Sequence, residues 1–334
     1  MYKLDNRRNK KKYDCPACGH KRTWTLYIHA ETGNELNPIV GKCDRENNCS
    51  HHYTPGQFFK DHPDKSVRDY DFKAFQKPEP KPTSYISKDI FLNSIVDDFQ
   101  EHPNYFLKYL MRLFGEHNAS MLAVRYNLGT SAHWKGSVVF WQMDIEMKFR
   151  TGKIMLYDPE TGKRVKKPFN HIHWIHALLE DQKEVENFHL TQCFFGEHLL
   201  KFNPGLKVAI VESEKTAIIA SVYFPEFIWL ASGSLVNISV EKCKVLKGRL
   251  VILFPDLKGL EKWKEKAKEI RQKLGLNIIV FEWLEKSAEK ANLQNGYDLA
   301  DFLVCTNDKG QALDDNGIPL SEILKLVFSN PGLG

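Results

Sequence analysis

The chain has 334 residues, of which 42% are hydrophobic and 27% are charged, and its formal net charge is +5. This length and apolar content predict two or three domains with packed cores. No stretch approaches the roughly 20 apolar residues of a membrane span. The first residues are charged rather than signal-like, so we expect a cytoplasmic protein with no membrane partner.

The positive charge is concentrated near the N-terminus. Residues 1–24 contain eight lysines and arginines against two aspartates. A basic arm of this kind favours a polyanionic partner such as nucleic acid, and the alternative is a merely solvated tail.

Four cysteines follow in two pairs. Cys15 and Cys18 form a Cys-x2-Cys turn, whereas five residues separate Cys43 from Cys49. Between the pairs, alternating apolar residues around a Thr-Gly turn predict a β-hairpin. Two cysteine pairs at the ends of a hairpin are typical of a zinc ribbon, so we expect these four side chains to hold structural Zn²⁺.

Two features of this region leave alternatives open. The spacing of the second cysteine pair is wide, so His51 or His52 is an alternative to one of its thiolates. Trp24, Tyr27 and His29 are candidates for stacking on unpaired bases, and they are equally candidates for the small core of the ribbon.

The next part of the chain changes character twice. Residues 61–94 are predicted to be a linker, because KPEPKP at 77–82 favours an extended polyproline conformation. Residues 95–200 predict an α+β region, with a helix over 105–114 that ends at Gly115. SVVFWQMD and MKFRTGKIMLYD then predict antiparallel strands.

This α+β region contains candidate ligand-binding side chains. Arg150 and Lys153 lie in the second predicted strand and are candidates for phosphate contacts, with a solvated strand edge as the alternative. His171 and His173 alternate in HIHWIH, but no further ligand is obvious, so ordinary packing is favoured over metal binding.

Three apolar runs predict buried strands of a parallel sheet: KVAIV at 207–211, RLVILF at 249–254 and NIIVF at 277–281. Helical spacing follows the first two runs. Glu212 and Asp256 come directly after them, and ligands bind at the carboxyl ends of such strands. We therefore expect these two carboxylates to meet at one edge of the sheet.

Two more acids extend this expectation. Asp298 and Asp301 in YDLADFL lie on one face of a helical turn. Four carboxylates predict a site for Mg²⁺ or Mn²⁺, although acids at strand ends and in first helical turns also serve as caps. Glu214 and Lys215 are candidates for phosphate contacts, although an exposed helix start is favoured over this role.

The order of these parts resembles the DnaG-type primases, including those carried by phages and mobile elements, in which a zinc ribbon precedes a Toprim domain. The first Toprim motif matches at Glu212 in VESEKTA. The later Asp-x-Asp motif matches in part, because Asp256-Leu257-Lys258 has a lysine at the second acid. The Toprim resemblance spans roughly 207–305.

The resemblance implies an α/β fold, with a mostly parallel sheet flanked by helices, preceded by an α+β region and a zinc ribbon. The expected domains are a zinc ribbon, a linker, an α+β primase-core-like subdomain, a Toprim-like domain and a C-terminal helical tail, at residues 1–60, 61–94, 95–200, 201–309 and 310–334.

The resemblance also implies a function: the synthesis of short primers on single-stranded DNA by Mg²⁺-dependent nucleotidyl transfer. Nucleoside triphosphates would be the substrates, and a replicative helicase acting in trans would be a further partner. Glu212 and Asp256 would be catalytic and would bind the metal, together with Asp298 and Asp301.

The lysine at position 258 keeps two alternatives open. One is a non-catalytic Toprim and zinc-ribbon protein that binds DNA in replication or mobilisation, and the other is a Toprim nuclease. Lys258 itself is either solvated or a fixed cation where a metal would otherwise lie. No G-x4-G-K-[ST] motif occurs, so we do not expect the chain to unwind DNA by itself.

Overall fold

The computed structural model describes residues 1–7, 11–45, 49–63, 82–95, 103–282, 284–285 and 298–304. The chain divides into two compact units, residues 1–79 and 80–334. Most of the KPEPKP segment and the whole of the expected C-terminal tail lie outside the described residues.

The first unit is built on an antiparallel sheet of four strands, in the order β1-β2-β3-β4: Tyr2–Leu4, Trp24–His29, Gly41–Cys43 and His52–Tyr53. Helix α1, Pro55–Asp61, follows the sheet. It begins at a capping box, in which Thr54 and Gln57 satisfy each other's backbone N–H groups. Cysteines and Trp24 form the core of the unit, so the predicted hairpin packs directly around the thiols.

The second unit begins with three helices and an antiparallel sheet. The helices are α2, α3 and α4, at Lys88–Ser94, Tyr105–Phe114 and Glu116–Arg125. The sheet has the order β5-β6-β7-β8, with strands Leu128–Ser131, Ser137–Met143, Phe149–Met155 and Ile172–Trp174. The helix predicted over 105–114 is confirmed: the Asn104 side chain accepts from Leu107 N–H at its start, and Gly115 ends it at a φ of 81°.

Two short helices, α5 (Ile175–Asp181) and α6 (Leu199–Phe202), lead to a parallel sheet. Its strands are β9, β10, β11 and β12, at Lys207–Val211, Phe227–Ala231, Leu250–Leu253 and Asn277–Val280, and their order is β10-β9-β11-β12. Helices α7, α8 and α9 follow at Glu214–Tyr223, Leu260–Leu274 and Leu299–Val304. The three expected strands are confirmed, and β10 is an additional one.

The two sheets of the second unit share one hydrophobic core. Phe195 joins them, because it exchanges backbone hydrogen bonds with Ala231 of β10 at 3.0 and 3.1 Å. Its ring stacks on Tyr126 and packs edge-on against Phe140 of β6. The α/β fold class with an α+β region and an N-terminal ribbon is therefore confirmed. Among the described helices, none has the length and apolar character needed to cross a bilayer.

Candidate functional site

The four cysteine side chains converge in the first unit. Their Sγ atoms all lie within 4.8 Å of one another. The Sγ atoms of Cys15 and Cys49 are 3.8 Å apart. Tetrahedral zinc with Zn–S bonds of about 2.3 Å keeps its sulfurs roughly 3.8 Å apart, so this donor set fits Zn²⁺.

Two backbone turns of the same kind present these thiols. Cys15 N–H donates to the His20 carbonyl at 3.0 Å, and Cys43 N–H donates to the His51 carbonyl at 2.9 Å. Each turn therefore closes on the residue that lies two positions after the second cysteine of its pair.

The described ends of the wider second cysteine turn are joined by a backbone hydrogen bond. Cys49 N–H donates to the Arg45 carbonyl at 2.8 Å. Gly19 and Ser50, each directly after the second cysteine of its pair, have φ values of 66° and 55°. Ser50 thus adopts the left-handed conformation that glycine adopts more easily.

The histidine alternatives for the second pair are not needed. The His51 ring stacks on Trp24 with centroids 5.1 Å apart. The His52 ring stacks on Tyr27, and its Nε2 lies 2.9 Å from the Tyr27 hydroxyl. Trp24 is fully buried, so it belongs to the core of the ribbon and is not available to stack on bases.

In the second unit, Glu212 and Asp256 follow β9 and β11, which are neighbours in the parallel sheet. The chain leaves β9 for β10 on one side and leaves β11 for β12 on the other. The crevice between two such strand ends is where α/β sheets bind ligands. The Asp256 carbonyl and Glu212 Oε1 both lie next to Gly259, so the two acids share one edge of the sheet.

Burial dominates the electrostatics of this acid pair. Burial raises the pKa of the Glu212 carboxyl to about 7, although the backbone N–H of Leu235 opposes the change. Burial also raises the pKa of Asp256 well above its usual range, and the charges of Glu212, Asp298 and Asp301 add to the effect. Such carboxyl groups hold protons near neutral pH unless a cation balances their charge.

Asp298 and Asp301 cap each other at the start of α9. Asp298 N–H donates to Asp301 Oδ2 at 3.1 Å, and Asp301 N–H donates to Asp298 Oδ1 at 3.0 Å. Thr216 donates its hydroxyl to Asp298 at 2.8 Å, and Lys215 Nζ donates to Asp301 at 3.3 Å. Both aspartates therefore have the capping role considered above, while their charges still act on Asp256.

The lysine that lies among these acids is Lys215, not Lys258. Burial lowers the pKa of Lys215, but Asp298 and Asp301 outweigh burial and leave this pKa raised. Lys258 is exposed, has a φ of 72°, and donates its backbone N–H to Glu285 at 2.8 Å. Lys258 thus matches its solvated alternative and not that of a fixed cation in the site.

The carboxylates are gathered less tightly than the cysteines. Across the described ranges, the four cysteines alone bring three or more ligand atoms within 4.8 Å of one another. Glu212 and Asp256 therefore form an open pair rather than a closed cage. Mg²⁺ is usually held by one or two carboxylates, with water and substrate phosphates completing its shell, so the donor set fits this ion.

The two candidate phosphate-binding residues of β7 are both paired with acids. Lys153 Nζ lies 3.1 and 3.2 Å from the Glu214 carboxylate oxygens, and both side chains are buried. Arg150 Nε donates to Asp144 at 2.6 Å. Glu214 is 1% exposed, so the expectation of an exposed helix start is wrong at this position.

A cavity of about 510 Å³ has neither Glu212 nor Asp256 in its lining. The charged side chains that line it are three cations and four acids: Arg150, Lys242, Lys244, Asp144, Glu146, Glu197 and Glu241. The turn Leu235–Asn237 connects the acid pair with this cavity, because Leu235 Cδ1 and Glu212 Oε1 both lie next to Gly259, while the next two residues of the turn line the cavity. Lys242 belongs to no recognisable motif, so it was missed in the sequence.

Two sequence families match parts of the chain. Residues 1–64 match a zinc beta-ribbon finger family, which together with the cysteine geometry confirms the predicted zinc ribbon. Residues 104–257 match a family described as a domain of unknown function (DUF6371). A comparison with curated proteins finds no match.

Solved primase structures resemble the chain at low sequence identity. The primase fragment of the bacteriophage T7 primase-helicase protein is 12% identical with a TM-score of 0.36, over 81% of this chain and 89% of that one. The DnaG catalytic core is 12% identical with a TM-score of 0.35, over 62% and 79%. The Aquifex aeolicus primase (zinc-binding and RNA polymerase domains) is 13% identical with a TM-score of 0.35, over 92% and 84%. At these values, function has to be argued from the chain's own residues.

Proposed function

We propose that this chain is a Toprim primase-like nucleotidyltransferase that joins nucleotides on a single-stranded DNA template. The observation that carries the proposal is the pair Glu212 and Asp256, two half-buried carboxyls with raised pKa values at neighbouring parallel strand ends. Acids with such perturbed pKa values, in the crevice of an α/β sheet, are enriched at functional sites.

Glu212 and Asp256 are the residues that would hold Mg²⁺ or Mn²⁺. Asp298 and Asp301 would add negative charge near Asp256. The bound ion would neutralise phosphate charge during in-line attack on the α-phosphate of a nucleotide. Because Lys258 replaces the second acid of the Asp-x-Asp motif and is exposed, we assign one ion to this site.

Glu212 has a second role in the proposal. A carboxylate beside the proposed ion would accept the proton of an attacking 3′-hydroxyl, since the ion keeps Glu212 ionised near neutral pH. Lys215 offsets part of the charge of Asp298 and Asp301, which keeps the acid group from repelling an incoming triphosphate.

The cavity lined by Arg150, Lys242 and Lys244 is the proposed nucleotide site, because its volume of about 510 Å³ lies in the usual range for ligand pockets. Lys242 Nζ donates to the Ser232 carbonyl at 3.3 Å and lies 5.0 Å from the centroid of the Phe194 ring. Burial lowers the pKa of Lys242, and a neighbouring triphosphate would raise it again. Arg150 and Lys215 remain proposed phosphate contacts, whereas Lys153 would first have to leave Glu214.

For the first unit, we propose that the zinc ribbon and its basic residues bind the single-stranded template. Positive charge follows phosphates without regard to sequence, so this contact would be strongly dependent on salt. A replicative helicase acting in trans remains a proposed partner.

One observation favours a second function. The exposed Lys258 leaves the Asp-x-Asp motif incomplete, which fits a non-catalytic protein that binds single-stranded DNA during replication or mobilisation. The two functions differ in whether a covalent product forms.

The test is a synthesis assay with single-stranded DNA, ribonucleotides and Mg²⁺ or Mn²⁺. The proposal predicts short labelled oligonucleotides, and Glu212→Gln should reduce their rate at least about a hundredfold, as the loss of a general base does. Glu226→Gln, an exposed acid outside the site, is the matched control and should leave the rate unchanged. Binding without a product would favour the second function, and a degraded template would favour a nuclease.

A further inference from the structure

A continuous array of rings lies on the surface beside β8, the edge strand of the antiparallel sheet. We call it the ring array, and it consists of His133, Trp134, Phe169, His171 and His173. The centroids of Phe169 and His171 are 4.4 Å apart, and those of His171 and Trp134 are 5.1 Å apart. His133 lies 4.4 Å from Trp134 and 4.7 Å from His173.

The ring array is not a buried core. Phe169 is 53% exposed, and His133 is exposed as well. The other three rings are half-buried, so every member keeps part of its surface in water. Rings that served only to pack the sheet would be covered, as Trp141 of β6 is.

The histidines of the array are arranged for stacking rather than for chelation. His133 and His173 have an interplanar angle of 16°, so they face each other with their ring planes. The ring Nδ1 of His171 lies 3.2 Å from the Val165 carbonyl, which occupies one of its nitrogens. Within the described residues, no group of three metal ligands includes these side chains.

A basic segment runs beside the array. Residues 161–176 contain no acid. Val165 N–H donates to the Leu156 carbonyl, and His171 N–H donates to the Val165 carbonyl, which holds the segment against the array. The exposed cations are Lys135, Lys163, Arg164, Lys166 and Lys167, and none of them forms an ion pair with a described residue.

Two acids precede the segment in sequence. Asp158 accepts from the backbone N–H groups of Thr161 and Glu160, which lowers the pKa of Asp158 and keeps it negatively charged. The Glu160 carboxylate is paired with Arg112. The five exposed cations outnumber the one remaining acid, so the surface around the rings is positive.

We propose that the ring array binds the unpaired bases of single-stranded DNA while the flanking cations follow its phosphates. Base stacking on exposed rings beside a basic strip is how proteins bind single strands without sequence preference. The array occupies one face of β8, because His171 and His173 alternate along the strand with Trp174, whose ring lies 6.0 Å from Lys153 Nζ on the other face. The inference rests on the proposed function only for the choice of DNA as the ligand.

The test separates stacking from charge. The full chain is titrated, without nucleotides or added Mg²⁺, into fluorescein-labelled oligothymidylate and into an abasic oligodeoxyribonucleotide of the same length. Trp134→Ala and Phe169→Ala should each weaken binding of oligothymidylate about tenfold and leave the abasic strand unaffected. Lys166→Ala with Lys167→Ala should weaken binding of both strands. It should also reduce the slope of log affinity against log salt concentration by about one to two.

Matched controls come from exposed residues that lie outside the ring array and the basic segment. Phe202→Ala removes an aromatic ring that is 64% exposed but lies outside the array, and it should change neither affinity. Lys201→Ala with Lys247→Ala removes two exposed cations outside the basic segment, and it should change neither the affinity for either strand nor the salt dependence. Trp134→Phe should retain most of the affinity that Trp134→Ala loses, which excludes misfolding as the cause.

Two results would overturn the inference. One is wild-type affinity for oligothymidylate in both ring variants, and the other is an equal loss on the abasic strand. Glu212→Gln should bind oligothymidylate as tightly as the wild type. Failure of primer synthesis alone would therefore reject the proposed function and leave the inference about the ring array intact.

Discussion

The cysteine cluster of the first unit and the acid pair of the second both bring groups of like charge together, but they differ in what holds those groups in place. The thiols come from two short turns in a unit whose core contains the cysteines themselves. The acids come from the ends of two strands that a large apolar core holds in place. A small unit needs its metal in order to fold, whereas a large core tolerates a charged site. Metal removal should therefore unfold the first unit and leave the second folded.

The largest expected effect is the loss of zinc. Cys18→Ser removes one of four ligands, and structural zinc contributes roughly 10–16 kcal/mol in comparable small units. We expect the variant to contain no zinc by metal analysis and residues 1–63 to become sensitive to protease. Cys243→Ala, which removes a buried thiol of the second unit, should retain one zinc per chain. A zinc-free Cys18→Ser protein with a protease-resistant first unit would show that this unit folds without its metal.

The next effect concerns the ion pair of Lys153 and Glu214, whose side chains are 9% and 1% exposed. Lys153→Met would leave a buried carboxylate without a partner, which costs about 3–5 kcal/mol. Chemical denaturation should show this loss in the second unit.

The double variant Lys153→Met with Glu214→Leu is the control, because it removes both charges. It should recover most of the lost stability, as replacement of buried pairs by apolar side chains often does. If the single and double variants are equally unstable, packing rather than charge is responsible.

A smaller effect should follow pH. Because the pKa of Glu212 is raised from 4.5 to about 7, the folded chain keeps a proton that the unfolded chain releases, and stability falls as pH rises through this window. Glu212→Gln should therefore stabilise the protein by about 3 kcal/mol near pH 8, and have little effect near pH 4.

Mg²⁺ sharpens this test, since it competes with the protons of the acid pair. It should raise the Tm of the wild type at about pH 8 more than at about pH 5, and it should not raise the Tm of Glu212→Gln. Glu226→Gln should respond to Mg²⁺ like the wild type. A Tm gain of equal size in Glu212→Gln would place the ion elsewhere.

The smallest effect distinguishes the two cysteine turns. Ser50 has a φ of 55°, so Ser50→Gly should relieve roughly 1 kcal/mol of backbone strain and slow the release of zinc to a chelator. Gly19→Ala should introduce backbone strain and speed the release of zinc, because Gly19 has a φ of 66°. An added Cβ at Gly19 would meet no other atom, so the effect should come from the backbone alone. Equal release rates in both variants would show that the turns do not limit the escape of the metal.

The parts predicted from sequence are those that neighbouring residues determine. The cysteine turns, the helix ended by Gly115 and the apolar runs of β9 and β11 depend on local pattern, and all are present. The meeting of Glu212 and Asp256 follows from topology, since parallel strands end at one edge of the sheet.

The missed features depend on contacts that no local pattern specifies. Lys215 and Lys258 look equivalent in sequence, and the left-handed backbone at Lys258 together with the capping of α9 decides which of them lies among the acids. Lys153 and Glu214 are 61 residues apart in sequence, so their ion pair depends on the tertiary fold. The stacking of His133 on His173 likewise requires the pairing of β8 with β7.

The backbone pairing of Phe195 with Ala231 also bears on how the molecule can be dissected. A fragment that began at residue 201 would lack Phe195 and leave the apolar edge strand Phe227–Ala231 unpaired at this point. It would also uncover the side of the sheet against which Tyr126 and Phe140 pack. Open, apolar sheet edges recruit other strands, so such a fragment should self-associate rather than remain a monomer. Truncations that retain the start of α3 should avoid that outcome.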